Sequence, residues 1–233
     1  METNNSTSAN LGVVIVAGGV GNRMGASVPK QFLKIGYVYI LEQTLRAFIG
    51  LAQKIVVVLP ADQHERWAAI VTERGLQGTH TVCNGGATRF ESVRNGLAAL
   101  GDGCDLVAIH DGVRPLVSRQ MILRGVTTAQ KEGSAIPIVP PVDSFRIESG
   151  GGLEVIERNL LRAIQTPQIF ATKLLADAYD TTPSERFTDD ATVVERLGVK
   201  LGYYEGERSN IKITTPEDLA IAEALMRLQN EAK

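Results

Sequence analysis

Short unbroken apolar runs alternate along the chain with longer stretches whose apolar residues recur every three or four positions. The runs are residues 11–17 (LGVVIVA), 54–60 (KIVVVLP), 105–111 (DLVAIHD) and 134–140 (SAIPIVP). They are rich in β-branched residues, which reads as strands buried on both faces, as in a parallel sheet. The internal Pro137 makes the fourth run the weakest strand of the set. The periodic stretches predict helices. One lies over 40–51, with Ile40, Leu41, Leu45, Phe48 and Ile49 apolar, and another over 64–75, ending at Gly75. A third, over 88–100, sets Phe90, Val93, Leu97 and Leu100 on one face. Further helices are expected over 118–132, 173–179 and 214–228. In the last, Thr215 suits the N-cap, Pro216 the first helical position, and Glu217 and Asp218 the positive helix end.

Strands alternating with helices imply βαβ units with right-handed crossovers, and ligands of such sheets bind beyond the carboxyl ends of the strands. One segment breaks the alternation. VDSFRIESGGGLEVIERN reads as a hairpin around Gly150-Gly151-Gly152, with Phe145, Ile147, Leu153 and Val155 alternating with polar neighbours. A lone hairpin is marginal in water, so it must pack on the main sheet or on another chain.

At 233 residues the chain suits one large domain or two small ones, and it is long enough to build a core without staples. With 44% hydrophobic and 21% charged residues it has the composition of a globular protein. A net charge of −2 gives no general attraction to nucleic acid or acidic membranes, so an anionic ligand needs locally placed Arg and Lys. The 5% aromatic share argues against a base-stacking platform. Cys83 and Cys104 are too few for a disulfide framework and lack metal or redox spacing. No apolar run is long enough to span a membrane, and METNNSTSAN has no apolar signal core. These features lead us to expect a frayed tail over 1–10, a single domain over 11–233, and a cytoplasmic protein that binds neither membrane nor nucleic acid.

The strongest chemical signal is VAGGVGNRMGASVPKQF, residues 16–32. Its four glycines follow directly on a buried strand and let backbone N–H groups close around an anion, while Arg23 and Lys30 add fixed positive charge. This is a cradle for a polyphosphate. It is not a Walker A loop, and Met24 occupies the third glycine position of a dinucleotide fingerprint. HDGVRP (110–115) ends a buried strand with a carboxylate. Asp111 suits a hard cation such as Mg²⁺, which takes most of its other ligands from phosphates and water, and Arg114 suits a second anion. His110 reads as a packed strand residue. In NGGATRFESV (84–93), Gly85, Gly86 and Ala87 allow close approach of a flat ring, and Ser92 is within reach of a sugar hydroxyl. Lys212, in SNIKITTPEDL, is placed on a short strand before the last helix.

AGGVGNRM with PKQF, then HDGVRP, ERN followed by TPQ, FTDDA and NIKITTPEDL occur in this order from about residue 11 to about 225. In that order they resemble the 2-C-methyl-D-erythritol 4-phosphate cytidylyltransferase family of the non-mevalonate isoprenoid pathway. The resemblance implies an α/β, Rossmann-like nucleotidyltransferase fold: a mostly parallel twisted sheet with helices on both faces. A protruding β-arm at about 140–160 is implied to pair two copies as a homodimer. The implied reaction transfers CMP from CTP to the sugar-alcohol phosphate with Mg²⁺ as cofactor. Ala17, Gly18, Gly19, Gly86, Ala87, Ser92 and Gly112 would line the nucleotide. Arg23, Lys30 and Lys212 would be catalytic, and Asp111 would hold the metal. Arg114, Arg158, Thr166 and Thr188 would bind the acceptor, Arg158 reaching from the arm into the neighbouring subunit. Ala87 stands where some members carry an acid, which leaves backbone contacts to the base at this position. A ribitol 5-phosphate cytidylyltransferase shares most of these motifs. A nicotinamide-dependent oxidoreductase and a catalytically silent nucleotide-binding module are the alternatives of other classes. The failed third glycine counts against the first of these, and the joint presence of Arg23, Lys30, Asp111 and Lys212 against the second.

Overall fold

The structure, a computed structural model, describes residues 9–18 and 28–231. In chain order the elements are β1 (Leu11–Val16), β2 (Lys34–Ile35), β3 (Val38–Tyr39), α1 (Ile40–Arg46), β4 (Lys54–Leu59), α2 (His64–Arg74), β5 (Thr81–Asn84), α3 (Arg89–Leu100), β6 (Leu106–Asp111) and α4 (Arg119–Glu132). They continue with β7 (Ser134–Val139), β8 (Arg146–Ser149), β9 (Gly152–Val155), β10 (Ala163–Ile164), β11 (Gln168–Ala171), α5 (Thr172–Tyr179), α6 (Asp190–Glu195), β12 (Tyr203–Glu205) and α7 (Pro216–Glu231).

The main sheet runs β10-β7-β11-β6-β1-β4-β5, with β12 beside β7. All four apolar runs become strands of it. β1 pairs in parallel with both β4 and β6, so their carboxyl ends open at one edge of the sheet. β11 is not evident in the sequence. It inserts antiparallel between β6 and β7, so β6 and β7 point the same way without being neighbours. QIFA carries no turn signal of its own; its strand state depends on the two edges it fills.

Alternation along the strands loads both faces. Val13, Ile15, Val57, Leu59 and Ala108 pack with Leu41, Leu45, Phe48, Trp67, Met121 and Ile122 from α1, α2, α4 and their flanks. Val14, Val56, Val58, Val107 and Ile109 pack on the other side with Phe90, Val93, Leu175, Val193 and Val194 from α3, α5 and α6. Burying each Val, Leu, Ile, Phe or Met side chain among them contributes roughly 1.5–3 kcal/mol. A third cluster of Ile35, Ile40, Val113, Leu116, Ile213 and Ala222 seats α7 beneath the loop that follows β6.

Several boundaries differ from the expectation. The first helix stops at Arg46, with Phe48 buried in the turn that follows. Lys212 lies in an extended segment outside any strand, anchored where Ile213 N–H donates to Val113 C=O at 2.9 Å. The hairpin forms as β8 and β9, but it is a sheet of its own. Its register places Ile147 opposite Glu154 and Leu153 opposite Glu148. Ile147 therefore points to one face and Leu153 and Val155 to the other, and all three are exposed. The hairpin carries apolar residues on both faces and the main sheet covers neither. The motif residues Gly19 and Arg23, and the tail over 1–8, lie outside the described residues.

Helix α3 sits on the sheet because residue 96 is glycine. A Cβ there would meet Val14 Cγ1 at 2.4 Å and Val58 Cγ2 at 2.9 Å. Gly96→Ala is expected to cost about 1–3 kcal/mol by overpacking. A thermal melt should show Tm lower by about 2–4 °C per kcal/mol lost; an unchanged Tm would mean that α3 has slack against β1 and β4.

Candidate active site

The loops after β1 and β6 leave adjacent strands. Ala17 N–H donates to Val58 C=O at 2.9 Å, and Gly112 N–H donates to Val16 C=O at 2.8 Å. Between them and the β5–α3 loop is a cavity of about 310 Å³. Ala17, Gly18 and Lys30 line it from the first loop, and Gly86, Ala87 and Ser92 from the loop before α3. Asp111 and Lys212 line it from the side of β6 and α7. These eight of the predicted site residues, far apart in sequence, therefore meet in one place.

The loop before α3 is held by local caps. Thr88 caps the helix by accepting from Glu91 N–H at 3.1 Å, and Glu91 Oε2 accepts from Thr88 N–H at 3.1 Å. Ser92 Oγ donates to Thr88 C=O at 2.9 Å and accepts from Gly86 N–H at 3.1 Å. The Ser92 hydroxyl thus spends its proton on the loop, and its role here is to shape the glycine slot. A side chain at Gly86 would put its Cβ 2.2 Å from Glu91 Cβ, so the loop can follow this path only with glycine there. Gln31, which lies in the PKQF motif but is given no role there, is buried and donates to Ala17 C=O at 2.8 Å, which fixes the exit of β1.

Asp111 is the electrostatic centre. Its Oδ2 accepts from Lys212 Nζ at 3.0 Å and from Arg114 Nε at 3.3 Å, and its Oδ1 faces Arg89 Nε at 3.8 Å. Burial alone would push its carboxyl pKa up. The charges of Arg89, Lys212 and Arg114 outweigh that and hold it well below the usual carboxylate range. Arg114 does not line the cavity. It is spent on Asp111 and on Asn210 C=O, to which it donates at 2.8 Å. Asn210, fully buried, donates in turn to Thr166 C=O at 2.8 Å. This chain of bonds ties the Lys212 segment to β6 and to the start of β11.

Thr166 faces inward as well. Arg114 C=O lies 3.1 Å from His110 Nε2, and a carbonyl can only accept, so Nε2 carries the ring proton. Nδ1 then accepts from the Thr166 hydroxyl at 3.1 Å, and Thr166 Oγ1 accepts from Asp111 N–H at 3.1 Å. Gly112, expected to line the nucleotide, does not line the cavity; a Cβ there would meet Ala17 Cβ at 2.8 Å. Thr188 is exposed just before Asp189, the N-cap of α6. Arg158, in the turn after the hairpin, donates to Val142 C=O at 2.9 Å and lines a separate hollow with Arg162 and Arg208. Arg89 is a site residue that the sequence reading misses, although its motif stands out. A cation in the first turn of a helix opposes the helix dipole and so asks for a partner. That partner is Asp190, which receives both guanidinium NH groups at 2.9 and 2.7 Å.

One carboxylate at a strand end, with a glycine slot and cations around it, on a sheet open at its carboxyl edge, defines the class of α/β nucleotidyltransferases. The family model described as "IspD: 2-C-methyl-D-erythritol 4-phosphate cytidylyltransferase" matches residues 11–228. A relative of that name from Bacteroides fragilis is 46% identical over 215 residues, covering 91% of this chain and 98% of the relative. The solved structure of 2-C-methyl-D-erythritol 4-phosphate cytidylyltransferase from Thermus thermophilus superposes with a TM-score of 0.77 at 35% identity, covering 94% and 99% of the two chains. That of 4-diphosphocytidyl-2C-methyl-D-erythritolsynthase from Anaerococcus prevotii superposes at 0.81 with 28% identity and the same coverage. The chain belongs to the 2-C-methyl-D-erythritol 4-phosphate cytidylyltransferase family.

Burial pushes the His110 pKa down to about 4. In the unfolded chain it titrates near 6.5. Between those values the unfolded state binds a proton that the native state does not. The stability due to neutral His110 is therefore complete above about pH 6.5 and is lost as pH falls toward 4. Urea unfolding at pH 7.5 and 4.5 should show wild type losing about 2–3 kcal/mol more than His110→Gln. Burial also lowers the His80 pKa, which adds to the slope in both proteins and cancels in the comparison. Equal losses would mean that His110 charges without cost.

Proposed function

We propose that the Asp111 cavity binds CTP and performs the transfer of CMP to 2-C-methyl-D-erythritol 4-phosphate, giving 4-diphosphocytidyl-2-C-methyl-D-erythritol and pyrophosphate. The observation that carries this reading is the convergence of Lys30, Lys212 and Arg89 with one ionised carboxylate beside a glycine slot. A phosphate oxygen of the acceptor attacks the α-phosphorus of CTP in line. The new P–O bond forms as the bond to pyrophosphate breaks. The attacking phosphate is already ionised near neutral pH, so no general base is required, and the barrier lies in bringing two anions together.

The glycine slot of Gly86 and Ala87 offers backbone to a flat base. Lys30 lines the cavity and Lys212, with its side chain 43% exposed, keeps its ammonium within reach of a ligand. Both stabilise negative charge that grows on the five-coordinate phosphorus, a role that Arg23 shares by family resemblance. Arg114 and Thr166 act one step back, holding Asp111 by side chain and by backbone.

The residues fit Mg²⁺. Among the described residues no group of three or more His, Cys, Asp or Glu side chains is placed to hold a metal. A single carboxylate suits a cation that draws its remaining ligands from phosphate oxygens and water. Among the described residues the two closest cations share Oδ2 of Asp111, and the ion pair given for Oδ1 is longer. When bound, Mg²⁺ neutralises phosphate charge and favours departure of pyrophosphate.

The hairpin supports a homodimer. Its two apolar faces need cover, and the partner we assign is a second copy of the chain. Arg158, which follows the hairpin and does not line its own chain's cavity, then reaches the acceptor in the neighbouring subunit. Among the described residues no helix is long and apolar enough to cross a membrane.

Pyrophosphate release tests the reading, with CTP against ATP, GTP and UTP, and methylerythritol phosphate against ribitol 5-phosphate. Release is expected with CTP and methylerythritol phosphate when Mg²⁺ is present. Lys30→Ala should lower kcat by about 10²–10³ and change the KM for CTP far less. Preference for ribitol 5-phosphate would move the assignment to the sister activity. Equal losses in affinity and turnover would reduce Lys30 to a ground-state phosphate ligand.

A further inference from the structure

We propose that Arg89 is a positioning residue for the transfer: buried Asp190 sets its guanidinium so that it fixes Asp111 and links the nucleotide loop to the end of β6. The inference rests on the reading of the Asp111 cavity as the CTP site. Arg89 is the first residue of α3 and directly follows the glycine slot and its cap, Thr88. Its two NH groups form a fork on Asp190, 101 residues away in sequence and fully buried. The same carboxylate accepts from the Tyr179 hydroxyl at 2.6 Å. Three donors nearly saturate a buried carboxylate, so the guanidinium has little freedom to turn.

Aromatic packing fixes the frame around it. Phe90, next to Arg89, stacks on Tyr179 with ring centroids 4.7 Å apart and on Phe187 at 5.6 Å. Burial works against the charge of Arg89, and Asp190, through its charge and its hydrogen bonds, more than restores it. Asp190 also offsets that charge, so the pair adds little net field to the cavity. What it adds is direction: the third nitrogen, Nε, faces Asp111 Oδ1 at 3.8 Å, on the cavity wall. A pair serving stability alone has no need of that third contact, since apolar packing can replace buried ion pairs without loss. A nucleotide settling on Gly86 and Ala87 therefore presses on a loop whose next residue but one steadies the metal carboxylate. The base and cation sites are coupled through Arg89.

The test uses full-length wild type, Arg89→Lys, Arg89→Gln, Asp190→Asn and the Arg89→Gln/Asp190→Asn double variant. Calorimetric titration of CTP at a series of Mg²⁺ concentrations, without acceptor, reads the coupling directly. Steady-state turnover gives the division between KM and kcat. The expectation is a loss of about 10–100-fold in kcat/KM for CTP in each single variant. The Mg²⁺ midpoint for CTP binding should rise with it, and the KM for the acceptor should stay within about twofold. Because the two residues act as a unit, the double variant should lose no more than the worse single variant. Wild-type CTP binding and Mg²⁺ midpoint in both Arg89 variants would overturn the inference, as would losses that multiply in the double variant. If Asp190→Asn does not fold, the two Arg89 variants decide. Wild type that binds CTP with Mg²⁺ but transfers no CMP would contradict the proposed function, while the binding comparison would still judge Arg89.

Discussion

Among the described residues three cations meet on the carboxylate of Asp111, and the candidate site depends on that meeting. Arg114 arrives from the same loop, Lys212 from the segment before α7, and Arg89 from the start of α3. Each is set by a different part of the core. A buried carboxylate without them would take up a proton; with them it stays ionised and anchors three segments to one strand end. Among the described residues that line the cavity, Lys30, Arg89 and Lys212 stand against a single carboxylate, Asp111. That surplus is the complement a triphosphate requires, on a chain whose overall charge is close to zero.

The packing explains why the arrangement holds before any ligand arrives. Two clusters clamp the sheet and bring the carboxyl ends of β1, β4 and β6 to one edge. The third cluster, under Val113 and Ile213, presses the Lys212 segment against the loop after β6. Fully buried His110 bonds to Thr166 and to the Arg114 carbonyl, and the Asn210 amide N–H to the Thr166 carbonyl, which ties down the backbone around Asp111. Preorganisation of this kind keeps the reorganisation cost out of the reaction step.

Much of this is legible in the sequence, because the signals are local. The four apolar runs become strands, the glycine slot and Asp111 fall at strand ends, and Ser118 and Thr215 cap the helices that follow them. What the sequence hides is non-local. β11 is a strand because two edges await it. The faces of the hairpin follow from pairing register, which a pattern of alternation along one strand does not contain. The Arg89–Asp190 fork joins residues a hundred positions apart, yet both ends leave a trace. Arg89 opposes a helix dipole, and in the Asp189-Asp190 pair one acid suffices as the N-cap, which leaves the second for other use. Ser92 is expected to reach a sugar hydroxyl and Thr166, by family resemblance, to bind the acceptor; the structure turns their protons inward, to Thr88 and His110.

The central claim is that the ionised carboxylate of Asp111 organises the cations for phosphoryl transfer. Its most direct test is pyrophosphate release by Asp111→Asn, which keeps the shape of the side chain and removes its charge. The account predicts a folded protein whose turnover with CTP, methylerythritol phosphate and Mg²⁺ falls by at least about 10². Turnover close to wild type in a folded Asp111→Asn variant would contradict it.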